Sequence, residues 1–324
     1  MSLFTLRTLA ALALMLLGLL ANAAHAQAWP SRPIRLLVGF APGGSTDLVA
    51  RLVGQKLSEK LGQPVIVEVN TSGGGTGAND SVAKAPPDGY RMVLLTGGVP
   101  AQAAIRKSLP YDPLKSFGMV GMVASYPMVI AVTPDSPIRT LADLFARARA
   151  EPGRITYTIQ SVGSLHHLLG EWMNIEADTT MLPVSYKGGA PALMDLLGHR
   201  VDVMIETGPF AIGQIRGGKL RPLALSSPAR FALMPEVPTI AETIKGVEAV
   251  SWLGMAVAPG TPRPIIDRLN AEIHSILQLA DVRARLAEIG SVPHPSSPEE
   301  MHEQIAREIT RWTRVVDIKK IERQ

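Results

Sequence analysis

No cysteine occurs anywhere in the 324 residues. That excludes a disulfide framework, a lipid-modified N-terminal cysteine and a cysteine nucleophile. Charge of one sign is also scarce, the formal balance being +4 with Arg7 included. No Lys/Arg block is interleaved with aromatics, so nucleic-acid binding has no support. Beyond residue 26 no apolar run is long enough to cross a bilayer. Enzyme signatures are missing too. Gly43-Gly44 is not followed by the Gly-Lys-Ser/Thr of a phosphate-binding loop, and "GGGTG" (73–77) lacks the last glycine of the dinucleotide fingerprint. No Gly-x-Ser-x-Gly nucleophile elbow appears.

What is present begins with an export signal. Arg7 forms a short positive region, Leu9 to Leu20 is almost wholly apolar, and Ala24-His25-Ala26 fits a small-x-small cleavage site. Residues 1–26 are expected to be a secretory signal peptide cleaved after Ala26, with a bacterial periplasm as destination. The remainder is long enough for two domains.

The stretch "VGFAPGGSTDLVARL" (38–52) gives the first architectural clue. An apolar strand, Ile34 to Phe40, runs into an Ala-Pro-Gly-Gly turn, and Thr46 to Leu61 then follows a helical apolar period that stops at Gly62. Strands are expected at 64–69 and 92–95, with a glycine-rich turn and a short helix ending near Ala85 between them. Strand-helix-strand alternation of this kind specifies a parallel, doubly wound sheet. It recurs with strands at 155–159, 181–185, 201–205 and 220–225, and helices at 164–172 and 190–197. Amphipathic helices follow at 264–279 and 298–316. "MVIAVTPDSP" from Met128 and "WLGMAVAPGTP" from Trp252 are apolar, extended and closed by proline. They suit two crossover strands between lobes. Lobe one is therefore expected at 27–125 plus 255–324 and lobe two at 126–254, with a ligand cleft between them.

Three turns share one design, a strand end, small residues and a helix start: "APGGSTD" (41–47), "SVGSLHH" (161–167) and "SYKGGAPA" (185–192). Carboxyl ends of parallel strands face the ligand crevice. Bare helix N-termini there offer backbone N–H groups that a carboxylate accepts. From the first turn the candidate ligand-binding residues are Phe40, Ala41, Gly43, Gly44, Ser45 and Thr46. Asp47 is a further candidate with two readings, a local cap of its own helix or a hydrogen-bond acceptor for the ligand. From the second turn they are Ser161, Gly163, Ser164 and His166, and from the third Tyr186, Lys187 and Gly188. Gly97, Asp202, Glu206 and Thr207 complete the set. Lys187 is the only cation within the three turns. His167 and Glu171 share a helical face, but a zinc site lacks further ligands. No metal or cofactor is expected.

These residues resemble a known family. "WPSRPIRLLVGFAPGGSTDLVARLVGQKLSEKLGQPVIVE" (29–68), "VAKAPPDGY" (82–90), "LPYDPLKSF" (109–117), "SYKGGAPALMDLLGHRVDVM" (185–204), "MPEVPTIAE" (234–242) and "WLGMAVAPGTP" (252–262) are similar to the Bug-type extracytoplasmic solute receptors, the binding component of tripartite tricarboxylate transport systems. The resemblance implies a two-lobed α/β periplasmic binding protein fold of type II-like character. Each lobe is a mostly parallel sheet flanked by helices, and two crossover strands join them. It implies closure on a small carboxylate (a di- or tricarboxylate, an amino acid or an aromatic acid), held by backbone groups and bridging waters. The family's Pro-Gly-Gly-x-x-Asp turn falls on Pro42, Gly43, Gly44 and Asp47. Its Gly-Ser-x-x-His turn falls on Gly163, Ser164 and His167, and its Tyr-Lys-Gly turn on Tyr186, Lys187 and Gly188. Two places depart from the pattern: "EVNTSGGGTGAND" (68–80) replaces Glu-Asn-Arg-Pro-Gly-Ala-Gly-Gly, and Ala41 stands where proline is usual.

The expected function is non-catalytic capture of a carboxylate for uptake by a monomer, with inner-membrane transporter subunits as partners. Two alternatives stand beside it. One is a sensing subunit that presents the solute to a membrane signalling partner. The other is an exported hydrolase using Ser164 with His166 or His167, for which no orienting acid is evident.

Overall fold

The computed structural model describes residues 29–323, and the expected signal peptide lies outside them. No described helix is long and apolar enough to cross a membrane.

Strand β1 (Ile34–Val38) lies parallel to β2 (Val65–Val69) on one side and β3 (Arg91–Thr96) on the other. The helix between the first two, α1 (Ser45–Leu61), packs Val49, Val53, Leu57 and Leu61 under this sheet. Burying four such side chains stabilises the unit by roughly 6–12 kcal/mol at most. Gly62 in the left-handed region ends the helix, as the sequence predicts. A turn over Ser72–Gly75, with Gly73 and Gly74 in the left-handed region, leads into α2 (Thr76–Ala83). After β3 comes α3 (Gly98–Ile105) and then β4 (Gly118–Val132).

Strand β4 belongs to both lobes. Residues 118–127 pair antiparallel with β9 (Val250–Val257), which itself pairs antiparallel with β3. Residues 128–132 pair antiparallel with β7 (Met204–Thr207) and β8 (Arg221–Leu225). The parallel strands of lobe two, β5 (Thr156–Ile159) and β6 (Leu182–Ser185), join β7 through the Tyr157–Val203 bridge. Lobe two is covered by α4 (Leu141–Ala150), α5 (Leu165–Glu176), α6 (Gly189–Leu197) and α7 (Gly208–Arg216). The chain then returns along β9 to α8 (Arg263–Leu277), α9 (Ala280–Glu288), a two-residue strand β10 (Val292–Pro293) and α10 (Pro298–Ile318).

Several features differ from the sequence reading. The chain changes lobes at Pro127/Met128 and just before Val250, whereas the expected boundaries were 125/126 and 254/255. β9 therefore joins the sheet of the first lobe over its whole length. The 255–324 segment is also divided between lobes: α10 sends Met301 and Ile305 into the core with Trp252, and Trp312, Val315 and Val316 into the core of lobe two. A continuous amphipathic helix gives no sign of the point at which its apolar face changes partner. The early start of β4 was hidden by Gly118 and Gly121, and the pairing with β9 shifts register between Met119 and Gly121 and again between Met122 and Ala124. Helices α3, α4, α7 and α9 were also not anticipated. Of these α4 carries a complete capping box from Thr140 and Asp143.

Candidate functional site

A cavity of about 500 Å³ opens between the lobes, at the carboxyl ends of the parallel strands. Its lobe-one wall begins where β1 ends. Gly43 takes φ +83, a conformation glycine adopts without strain, and Gly44 then caps α1 with no side-chain hydrogen bond. The N–H groups of Ser45 and Thr46 consequently have no acceptor among the described residues. Opposite them, Ser164 caps α5 and accepts from the N–H of His167 at 3.4 Å. The N–H groups of Leu165 and His166 likewise have no acceptor among the described residues. Two helix N-termini on opposite lobes thus carry unpaired donors and positive dipole ends along one cavity.

The floor is the crossover pair. Tyr126 of β4 and Ser251 of β9 face each other across the strand pairing, and the buried Tyr126 hydroxyl lies beside those of Ser251 and Ser45. Burial raises the Tyr126 pKa, so it remains a neutral hydrogen-bonding group. The lips are apolar: Phe40 on lobe one and Val162 on lobe two are 39% and 44% exposed. At Gly163, where φ is +77, a Cβ would stand 2.4 Å from Ile105 Cδ1. That glycine lets the second turn close directly onto α3.

The lining holds no aspartate or glutamate and one fixed cation, Arg106, at the end of α3. Among the described residues the Arg106 side chain forms no ion pair, and it is exposed. A few unpaired donors, one guanidinium and no carboxylate make the cavity complementary to an anion.

Of the residues expected from the sequence, Phe40, Gly44, Ser45, Thr46, Ser161 and Gly163 line the cavity, as do Ser164, His166 and Thr207. Ala41 and Gly43 shape the turn from its exposed side. Asp47 does not line the cavity: it is 3% exposed, and its Oδ2 accepts from Gly43 N at 2.9 Å and Arg51 Nε at 3.0 Å. The carboxyl is held below its ordinary range first by the Arg51 hydrogen bond, against burial and with help from Gly43. Gly97 turns its N–H to Trp252 O at 3.0 Å, leaving Thr96 and Gly98 on the wall.

The third turn stands back from the cavity. Tyr186 donates to Asp195 Oδ2 at 3.1 Å, Lys187 is exposed, and Gly188 caps α6. It approaches the site through Gly189, where a Cβ would lie 2.9 Å from Glu206 Oε2, and through Ser185 Oγ, which donates to the backbone oxygen of Gln160 on the wall. Glu206 is buried one layer behind the wall, its Oε1 receiving Thr207 N at 2.8 Å, Thr207 Oγ1 at 3.1 Å and His166 Nε2 at 3.3 Å. Burial opposes its charge, yet the hydrogen bonds from His166 and Thr207 prevail and lower its pKa. Asp202 lies at the amino end of its strand, away from the crevice, and binds Thr156 N and Oγ1 at 2.8 and 2.7 Å. His167 and Glu171 also have local partners: His167 Nδ1 accepts from Gly163 N at 3.0 Å, and Glu171 pairs with Tyr157 and Lys319.

Arg106, Gln102, Tyr126, Ser251 and the Gly73-Gly74 turn were missed by the sequence reading. The sequence reading assigned no element to 98–105, where Pro100 sits in the first turn of α3, a position at which proline is tolerated. The Ala-Gln-Ala-Ala run behind that proline was the available signal.

Two α/β lobes joined by crossover strands around a ligand-sized cleft define the class: a solute-binding protein. The particular family follows from comparison. The family described as "Tripartite tricarboxylate transporter family receptor" matches residues 49–322, and the chain belongs to it. Protein BugT of Bordetella pertussis is 36% identical over 90% of this chain and 90% of its own length. The structure of Rpa4515 from R. palustris with adipate superposes with a TM-score of 0.81 and 34% identity, covering 91% of this chain and 99% of that one. MatC from Rhodopseudomonas palustris with bound malate superposes at 0.77 and 30% identity, covering 89% and 100%. The family is one of periplasmic solute-binding receptors, not of enzymes.

Proposed function

We propose that this chain, exported with residues 1–26 as its signal peptide, captures a small organic carboxylate between its lobes and delivers it as a monomer to inner-membrane transporter subunits. The observation that carries this reading is the pair of unpaired helix N-termini, Ser45-Thr46 and Leu165-His166, on opposite walls of one cavity without a carboxylate. One ligand carboxylate accepts these N–H groups directly or through water, and Ser161, Ser164 and Thr207 add hydroxyls. Phe40 and Val162 cover the hydrocarbon part, and Arg106 meets a second anionic group at the rim. Lobe closure is favoured because the closed form alone supplies donors from both sides. The adipate and malate of the two relatives are both dicarboxylates, which supports the same ligand class here.

A thermal-shift screen of mono-, di- and tricarboxylic acids, amino acids and aromatic acids against neutral sugars tests the proposal. At least one acid raises the melting temperature in proportion to the logarithm of its concentration above Kd. Stabilisation by a sugar and by no acid would refute it.

A further inference from the structure

His166 lines the cleft but is 5% exposed, and its Nδ1 is buried without a hydrogen-bond partner among the described residues. The other ring nitrogen is committed, because Nε2 lies 3.3 Å from Glu206 Oε1. Glu206 is itself buried, and its Oε1 also receives the N–H and hydroxyl of Thr207. An ionised carboxylate can only accept, so Nε2 carries the ring proton. In a singly protonated ring, Nδ1 is then a buried lone pair without a donor, on a side chain that lines the cleft beside a helix end with unpaired N–H groups. A buried acceptor with no partner is costly when the cleft is dry, and a ligand that supplies the missing proton gains the difference. The neighbouring His167 cannot play this part, since its Nδ1 already accepts from Gly163 N at 3.0 Å.

Resting on the carboxylate-capture reading above, we propose that the Glu206–His166 pair reads the bound solute. Glu206 positions the ring, and His166 Nδ1 accepts a hydrogen bond from a donor on the ligand. The preferred solutes are therefore carboxylic acids that bear a hydroxyl or protonated amine, rather than plain carboxylates of the same length. The α5 N-terminus holds the carboxylate while the second residue of that helix inspects its substituent. Discrimination comes from pairing a buried polar atom, which separates ligands with a donor from those without one far more sharply than an extra methylene does.

Calorimetric titration of the full mature chain at one fixed pH tests this with matched acids. Propionate, lactate and alanine form one set; succinate, malate and aspartate another; glutarate, 2-hydroxyglutarate and glutamate a third. Within at least one set, the hydroxylated or aminated member binds about tenfold or more tighter than the plain acid. His166→Phe, which removes both nitrogens, reduces that ratio to within about threefold, whereas His166→Asn, which keeps an acceptor near Nδ1, retains most of it. Far-UV circular dichroism and melting confirm that both variants fold. Equal binding of plain and substituted acids by the unaltered protein overturns the inference and leaves carboxylate capture standing. So does a preference that survives His166→Phe. Failure of every acid to bind overturns both.

Discussion

The indole Nε1 of Trp252, on crossover strand β9, donates to both oxygens of Glu308 on α10, at 3.1 and 3.0 Å. The bond ties the strand that carries Ser251 into the cleft to a helix that enters both lobe cores. Glu308 is 9% exposed, and burial, against the hydrogen bonds from Trp252 and Gln304, pushes its carboxyl up to about 7.

A first prediction follows from that shift. Between its ordinary 4.5 and about 7 the folded chain holds a proton on Glu308 that the unfolded chain has released. Stability therefore declines as pH rises through this window, by up to about 3 kcal/mol. Glu308→Gln keeps an acceptor for Trp252 and cannot ionise. Urea unfolding is expected to find it more stable than the unaltered protein at about pH 8 and equal near pH 4. A variant less stable at both would contradict the assignment.

Gly44 has φ −76, and a Cβ there meets nothing closer than Ala41 O at 3.5 Å. Gly44→Val should fold, at a cost of roughly 1 kcal/mol for a poorer N-cap. Its side chain would shield the Ser45 and Thr46 donors, and ligand affinity should fall by about tenfold or more. Calorimetry beside a melting curve separates the two effects.

Asp47 holds the turn rather than the ligand. Asp47→Ala should lower stability by about 1–2 kcal/mol at neutral pH and leave the ranking of ligands unchanged. Because the Asp47 pKa is depressed, chiefly by Arg51, its contribution is present above the ordinary 3.8 and disappears as pH falls through the lowered value. The variant's deficit should therefore shrink in acid. A changed ligand ranking would place the carboxylate in the cleft after all.

Arg106 is exposed, so its contribution to affinity is modest and screened by salt. Arg106→Ala should weaken a dianionic ligand about fivefold at low ionic strength and less in high salt, with little effect on a monoanion. An equal loss for both ligands would mean that Arg106 does not meet a second charge.

Local sequence grammar made much of this legible. An apolar strand, a Pro-Gly-Gly turn and an amphipathic helix can fold in few ways, and they placed Gly44, Ser45 and Thr46 on the wall without tertiary information. The second turn was equally plain, because Ser164 is a strong N-cap. Partnerships over long separations were not legible. Lys187 looked like the cleft's cation, yet the cation on the wall is Arg106, on a helix masked by its leading glycines. Asp202 and Thr207 flank the same short strand, and only its direction decides which of them reaches the crevice. The commitment of Asp47 to Gly43 and Arg51 is local, but its sequence position fits capping and ligand contact alike.

The most direct test is a crystal structure of the mature chain with the acid that stabilises it best. The account predicts one ligand per chain in the cleft, with a carboxylate about 3 Å from the N–H groups of Ser45-Thr46 and Leu165-His166, or one ordered water away. A ligand bound elsewhere, or one that turns no carboxylate toward either helix N-terminus, would contradict it.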